Sequence, residues 1–180
     1  MHKTFSQVRQ RGAVLITSLV ILLILTLLGV SAMSTSSLEE MMAGNLRDQN
    51  LSFQAAEAAL RDGERYISSW SGEPLATSTG SNNGVFLANT FGDFSYAAYN
   101  TSVWGQAAIY GANTSALPLD GVDADPVYLI EEYDFVPKDA SYESLIKRKG
   151  KFFYRITARG VGASSSAVTM VQATSAIRFK

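Results

Sequence analysis

A single histidine, His2, and the complete absence of cysteine bound the chemistry open to this 180-residue chain. Without a thiol there is neither a disulfide nor a thiolate nucleophile, and cysteine usage says nothing about the redox compartment. If residues 1–12 are removed as a leader, as argued below, no imidazole remains. Ser-His-Asp and Cys-His catalysis are then excluded, and carboxylates are the only usual zinc ligands left. Asp120, Asp123 and Asp125, with Glu131 and Glu132 nearby, offer hard oxygens of the kind that calcium gathers roughly six to eight at a time. Their D-G-V-D-A-D spacing departs from the EF-hand order, and acidic loops are more often simply solvated. Calcium is therefore carried as a candidate ligand only, and no cofactor is expected. Composition leaves a Ser-Lys pair open, but no nucleophile motif or phosphate loop accompanies it, so a structural or binding role is expected rather than an enzyme.

The formal charge is −1, from 15 Lys and Arg against 16 Asp and Glu. Phosphate neutralisation needs clustered cations, so nucleic acid is not an expected partner. Lys147, Arg148, Lys149 and Lys151 form the one dense basic run past the N-terminus; it reads as a solvated turn leading into a strand and is given no function. Asn50, Asn100 and Asn113 open N-x-S/T triplets, whose meaning depends on a cell type that the residues do not disclose.

The elements that position these groups begin with an N-terminal appendage to one compact domain, since single domains usually run to about 100 to 150 residues. Residues 1–12, MHKTFSQVRQRG, carry Lys3, Arg9 and Arg11 with no acidic residue, and they run directly into an apolar stretch over 13–30. Those residues span about 27 Å as a helix, close to the roughly 30 Å hydrocarbon core once 31–33 extend them. Thirteen are Leu, Ile or Val, each contributing about 0.3 to 0.6 kcal/mol towards insertion. The hydroxyls of Thr17, Ser18 and Thr26 can bond back to the helix's own carbonyls. Positive charge before the segment predicts a single pass with the N-terminus cytoplasmic and the bulk outside. Two other readings stay open: a secretory signal cut near Val30-Ser31-Ala32, and an uncleaved anchor.

No proline interrupts the chain from Ala13 to Glu73, which allows one helix over 13–67 of roughly 80 Å. Residues 34–67 are its amphipathic continuation. Leu38, Met42, Leu46, Phe53, Ala56, Leu60 and Ile67 fall mostly at helical steps, while Glu39, Glu40, Arg47, Asp48, Glu57, Arg61, Asp62, Glu64 and Arg65 make the polar face. Gly29, Gly44 and Gly63 mark places for a bend or an end. Residues 68–125 read as loops with short strands at 85–88 and 94–99, and Trp70, Trp104 and Tyr110 are expected to pack onto helix or sheet. Residues 126–180 read as an antiparallel sheet of three strands. In KFFYRITARG, Phe152, Tyr154, Ile156 and Ala158 alternate with Phe153, Arg155, Thr157 and Arg159, and a hairpin loop at 160–165 joins the last two strands. The sheet is expected to pack on the amphipathic helix, giving an α+β fold.

A basic leader ending in Gly immediately before a long apolar helix resembles the class III signal of type IV prepilins. RGAVLITSLVILLILTLLGVSAM, followed by SSLEEMMAGNLRDQNLSFQAAEAALRDGE, resembles the N-terminal region of the PilX branch of minor pilins over about residues 10–65. YRITARGVG and AVTMVQATSAI resemble a pilin C-terminal end. The resemblance implies the pilin lollipop, a long N-terminal helix packed against a C-terminal antiparallel sheet. It also implies cleavage by prepilin peptidase between Gly12 and Ala13 and N-methylation of Ala13. Loss of the leader takes the formal charge from −1 to −4. Implied partners are other minor pilins, the major pilin, the inner-membrane assembly platform and a tip adhesin. The implied location is the inner membrane, with the C-terminal domain periplasmic, and then the pilus at the cell surface.

Two departures from the major-pilin pattern follow. Thr17 stands where major pilins carry a Glu that is thought to neutralise the N-terminal amine of the subunit already in place. A subunit with no predecessor has no amine to pair, so Thr17 suggests a priming position at or near the filament tip. The cysteines that close the C-terminal loop of many major pilins are also absent, and noncovalent packing must hold that region. A minor pseudopilin of a type II secretion system, or a membrane-anchored or secreted binding protein, remain the alternatives.

Overall fold

The computed structural model describes residues 13–80, 84–90, 104–105, 108–109 and 119–179. Gly12, Tyr110 and the strand anticipated at 94–99 lie outside the described residues. The chain divides into two units, Met1–Gly44 and Asn45–Lys180. One helix, α1, runs Ala13–Ser68.

Within the first unit, residues 13–44 are helical and exposed throughout. The three hydroxyls of the apolar stretch are satisfied inside the helix: Thr17 Oγ1 donates to the Val14 carbonyl at 3.0 Å, Ser18 Oγ to Leu15 at 2.9 Å and Thr26 Oγ1 to Leu23 at 2.8 Å. Neither Gly29 nor Gly44 ends the helix. Unbroken backbone hydrogen bonding outweighs a glycine penalty of about 1 kcal/mol.

The second unit holds the core. Its strands are β1 (Val85–Leu87), β2 (Ala108–Ile109), β3 (Val127–Pro137), β4 (Gly150–Val161) and β5 (Val168–Ile177), with a short helix α2 (Tyr142–Ile146) between β3 and β4. The order is β1-β3-β4-β5, with β2 also on β3. The three C-terminal strands are antiparallel, as read from their alternation. The sheet as a whole is mixed, because β1 joins β3 in parallel. That pairing was not legible in the sequence: a three-residue strand has too few alternating positions to signal its direction.

Tyr128 and Ile130 of β3, Phe152, Tyr154, Ile156 and Ala158 of β4, and the partly buried Val171, Ala173 and Ile177 of β5 face α1 and pack with Ala59, Leu60 and Ile67. The alternation is reset once. A register shift between Glu132 and Asp134 marks a bulge at Tyr133, and beyond it the odd-numbered Phe135 turns to the helix side and packs on Phe152 at 4.8 Å between ring centres. On the opposite face Phe86, Trp104 and Leu129 form a smaller cluster. Trp70 instead sets its ring edge-on to Tyr66.

Candidate functional site

The helix face that meets the sheet is narrower than the periodicity predicts. Its buried residues are Ser52, Ala55, Ala56, Ala59, Leu60, Asp62, Gly63 and Ile67. Of the anticipated apolar stripe, Ala56, Leu60 and Ile67 are buried, whereas Leu38, Met42, Leu46 and Phe53 are exposed. Asp62, placed on the polar face by spacing, is fully buried and pairs with Arg65 at 3.7 Å. The cause is how closely the sheet approaches. A Cβ on Gly160 would lie 2.3 Å from both the Ser52 carbonyl oxygen and the Ala56 nitrogen, and one on Gly63 would lie 2.9 Å from Ile156. Where backbone is seated on backbone, beside Ser52 to Ala59, small residues line the seam and Phe53 is left outside it, whereas Leu60 and Ile67 further along are accommodated in the core.

Polar contacts fix the same seam. The Asp48 carboxylate accepts from the backbone N–H of Ala163 at 2.6 Å and of Ser164 at 3.2 Å, and from the Ser164 hydroxyl. Ser52 Oγ meets Thr169 Oγ1 at 2.6 Å. The Ser164 hydroxyl holds the Asp48 carboxyl below its ordinary pKa; desolvation opposes it, and the backbone N–H groups of Ser164 and Ala163 add smaller lowering effects. The hairpin that this carboxylate caps starts at Gly162, two residues later than its composition suggests, because Gly160 and Val161 still belong to β4. Gly162 N–H closes the turn onto the Ala167 carbonyl at 2.8 Å.

The carboxylates nearest the candidate calcium loop are engaged elsewhere. Arg155 donates through Nε at 2.9 Å and Nη2 at 2.7 Å to Glu131 Oε2, directly across the β3–β4 pair. Both side chains are largely buried, and Glu131 Oε1 has no hydrogen-bond partner. Glu132 pairs with Arg148, which also binds Glu73 at 2.6 Å and lies over the rings of Phe135 and Phe152. Burial raises the Glu73 pKa; Arg148 opposes this and Glu132 adds to it. Asp120, Asp123 and Asp125 are exposed in the loop before β3. Among the described residues no three carboxylate or imidazole groups gather as a metal site. The spacing of charges in sequence gave no signal of the Glu131–Arg155 pair, since its partners lie on different strands.

The remaining surface with an evident function is α1 itself. Ala13 is its first residue, and thirteen Leu, Ile and Val residues follow by position 30 with no charge among them. It is the one helix, among the described residues, that is long and apolar enough to cross a membrane. An apolar helix with every hydroxyl bonded internally, together with a sheet that seats the C-terminal part of the same helix, defines the pilin-like class. Residues 11–61 match the PilX N-terminal family model, and residues 56–177 match the model described as type IV pilus assembly protein PilX C-term. The chain belongs to the PilX family of type IV pilus minor pilins. No curated protein and no solved structure matches it.

Proposed function

We propose that this minor pilin primes assembly and sits at or near the pilus tip, joined to other minor pilins and to the major pilin, with a tip adhesin as a further partner. The observation that carries the reading is Thr17. Its hydroxyl is satisfied by Val14 within the same helix, so position 17 brings no charge that requires the amine of a preceding subunit. A carboxylate there would cost about 2.5 to 3.5 kcal/mol at mid-bilayer until it was paired. A first subunit avoids that cost.

In this reading prepilin peptidase cuts between Gly12 and Ala13 and methylates Ala13. The helix first spans the inner membrane with its N-terminus cytoplasmic and the C-terminal domain periplasmic. It then passes through the assembly platform into the filament. Leu38, Met42, Leu46 and Phe53, which the domain leaves exposed, are the side chains that neighbouring helices would cover. Mass spectrometry of the mature N-terminus tests the processing: a methylated chain starting at Ala13 is expected, whereas a start at Met33 or an intact Met1 overturns it. For the tip position, Thr17→Glu is expected to reduce pilus number. Wild-type piliation and unchanged recovery of minor-pilin complexes would remove the argument.

A further inference from the structure

The basic run 147–151 does more than turn the chain. Lys147, Arg148 and Lys149 converge with Lys138 and Arg178 around an open cleft of about 450 Å³, floored by Phe152 and Phe179. Glu73 is the one carboxylate in the lining, and it is bound to Arg148. Lys147 and Lys149 share Glu143 at 2.9 and 3.3 Å. Lys138 and Arg178 hold no ion pair among the described residues; the nearby Asp139 carboxylate accepts from the backbone and hydroxyl of Ser141. The cleft is thus a positive site on a chain of net charge −1.

A second feature adjoins it. Helix α2, capped by Ser141 accepting from Ser144 N–H at 3.2 Å, leads directly into this basic rim. It leaves Tyr142 79%, Leu145 52% and Ile146 63% exposed. Large apolar side chains beside an aromatic-floored cationic cleft suit a ligand that is acidic and apolar together. A bare polyanion would use the cations alone.

The geometry points to a protein-binding site at this end of the sheet, whose occupant is an acidic polypeptide segment carrying apolar residues between its carboxylates. The carboxylates engage Lys138, Lys147, Lys149 and Arg178, and the apolar residues lie on α2 and the phenylalanine floor. This site involves neither the leader nor the membrane helix, and its test does not depend on filament assembly.

The full chain in lipid nanodiscs is titrated into a fluorescein-labelled peptide of repeating Glu-Glu-Leu and followed by anisotropy. Binding is expected, with no binding of the Gln-Gln-Leu counterpart. Lys138→Glu/Arg178→Glu, which breaks no ion pair among the described residues, and Lys147→Glu/Lys149→Glu are each expected to weaken binding by about tenfold or more. Tyr142→Ser/Ile146→Ser is expected to weaken it by several-fold. Arg47→Glu/Arg61→Glu makes the same change in net charge on exposed positions of α1 and is expected to leave binding within about twofold. Equal losses in that control, or no loss in the cleft variants, overturn the site. Tight binding of polyphosphate that ignores Tyr142 and Ile146 overturns the polypeptide occupant.

Discussion

The two stretches of α1 solve different problems with the same backbone. Residues 13–44 are exposed on every side, and nothing lies within 4 Å of a Cβ built on Gly29 or Gly44. Residues 45–68 are seated on a sheet that comes closest at Ser52–Ala56 and at Gly63, where only small side chains fit. The first stretch is specified by composition alone, because lipid or neighbouring helices supply its surroundings. The second is specified by shape, and there a single methyl group decides whether helix and strand can meet. Hydropathy reads the first kind of segment well and the second poorly.

The largest expected effect tests whether the second unit depends on individual contacts. Arg155→Met leaves Glu131 buried without its partner and should destabilise that unit by about 3 to 5 kcal/mol in chemical denaturation. The double variant Glu131→Leu/Arg155→Met should recover most of the loss. A single substitution with no effect would mean that water reaches the carboxylate and the pair is not closed.

Gly160→Val places a side chain where backbone atoms stand 2.3 Å away and should cost about 3 kcal/mol or more, as severe overpacking does. Gly29→Val, in the open stretch, should leave the thermal midpoint of the same unit unchanged. Equal effects at the two positions would erase the contrast between the stretches.

Acid sharpens the comparison at Asp48. Its folded pKa lies below the unfolded value of 3.8, so its contribution is complete above that value and is lost as pH falls through the lower folded one. The thermal midpoint should therefore fall more steeply in wild type than in Asp48→Asn over that interval. Parallel curves would show that the hairpin cap does not titrate with folding. The smallest effect is expected for Phe53→Ser. The side chain is half exposed in the isolated chain, so stability should change by no more than about 0.5 kcal/mol. Pilus incorporation should fall if neighbours cover it.

The long helix, the three antiparallel strands and the inward set on β4 were legible because each repeats a period over many residues. Three features were not. The bulge at Tyr133 inserts a single residue, and no composition signal precedes it. The buried stripe of small residues was masked by the larger Leu46 and Phe53, which dominate any count of apolar side chains but face outward. Asp48 looks like any charge on a solvated face until residues 163 and 164, more than a hundred positions away, bring their N–H groups to it. The candidate site was readable as an apolar helix from position 13 onward, but the cationic cleft depended on strand ends meeting in space.

Gly160 seated between Ser52 and Ala56 also has a mechanical consequence. It works as a detent: sliding that stretch of α1 along the sheet by one turn, about 5.4 Å, would bring different side chains under β4 and pull Asp48 away from Ala163. An axial load on this stretch of helix therefore meets steric locking instead of the gradual yielding of a smooth apolar seam.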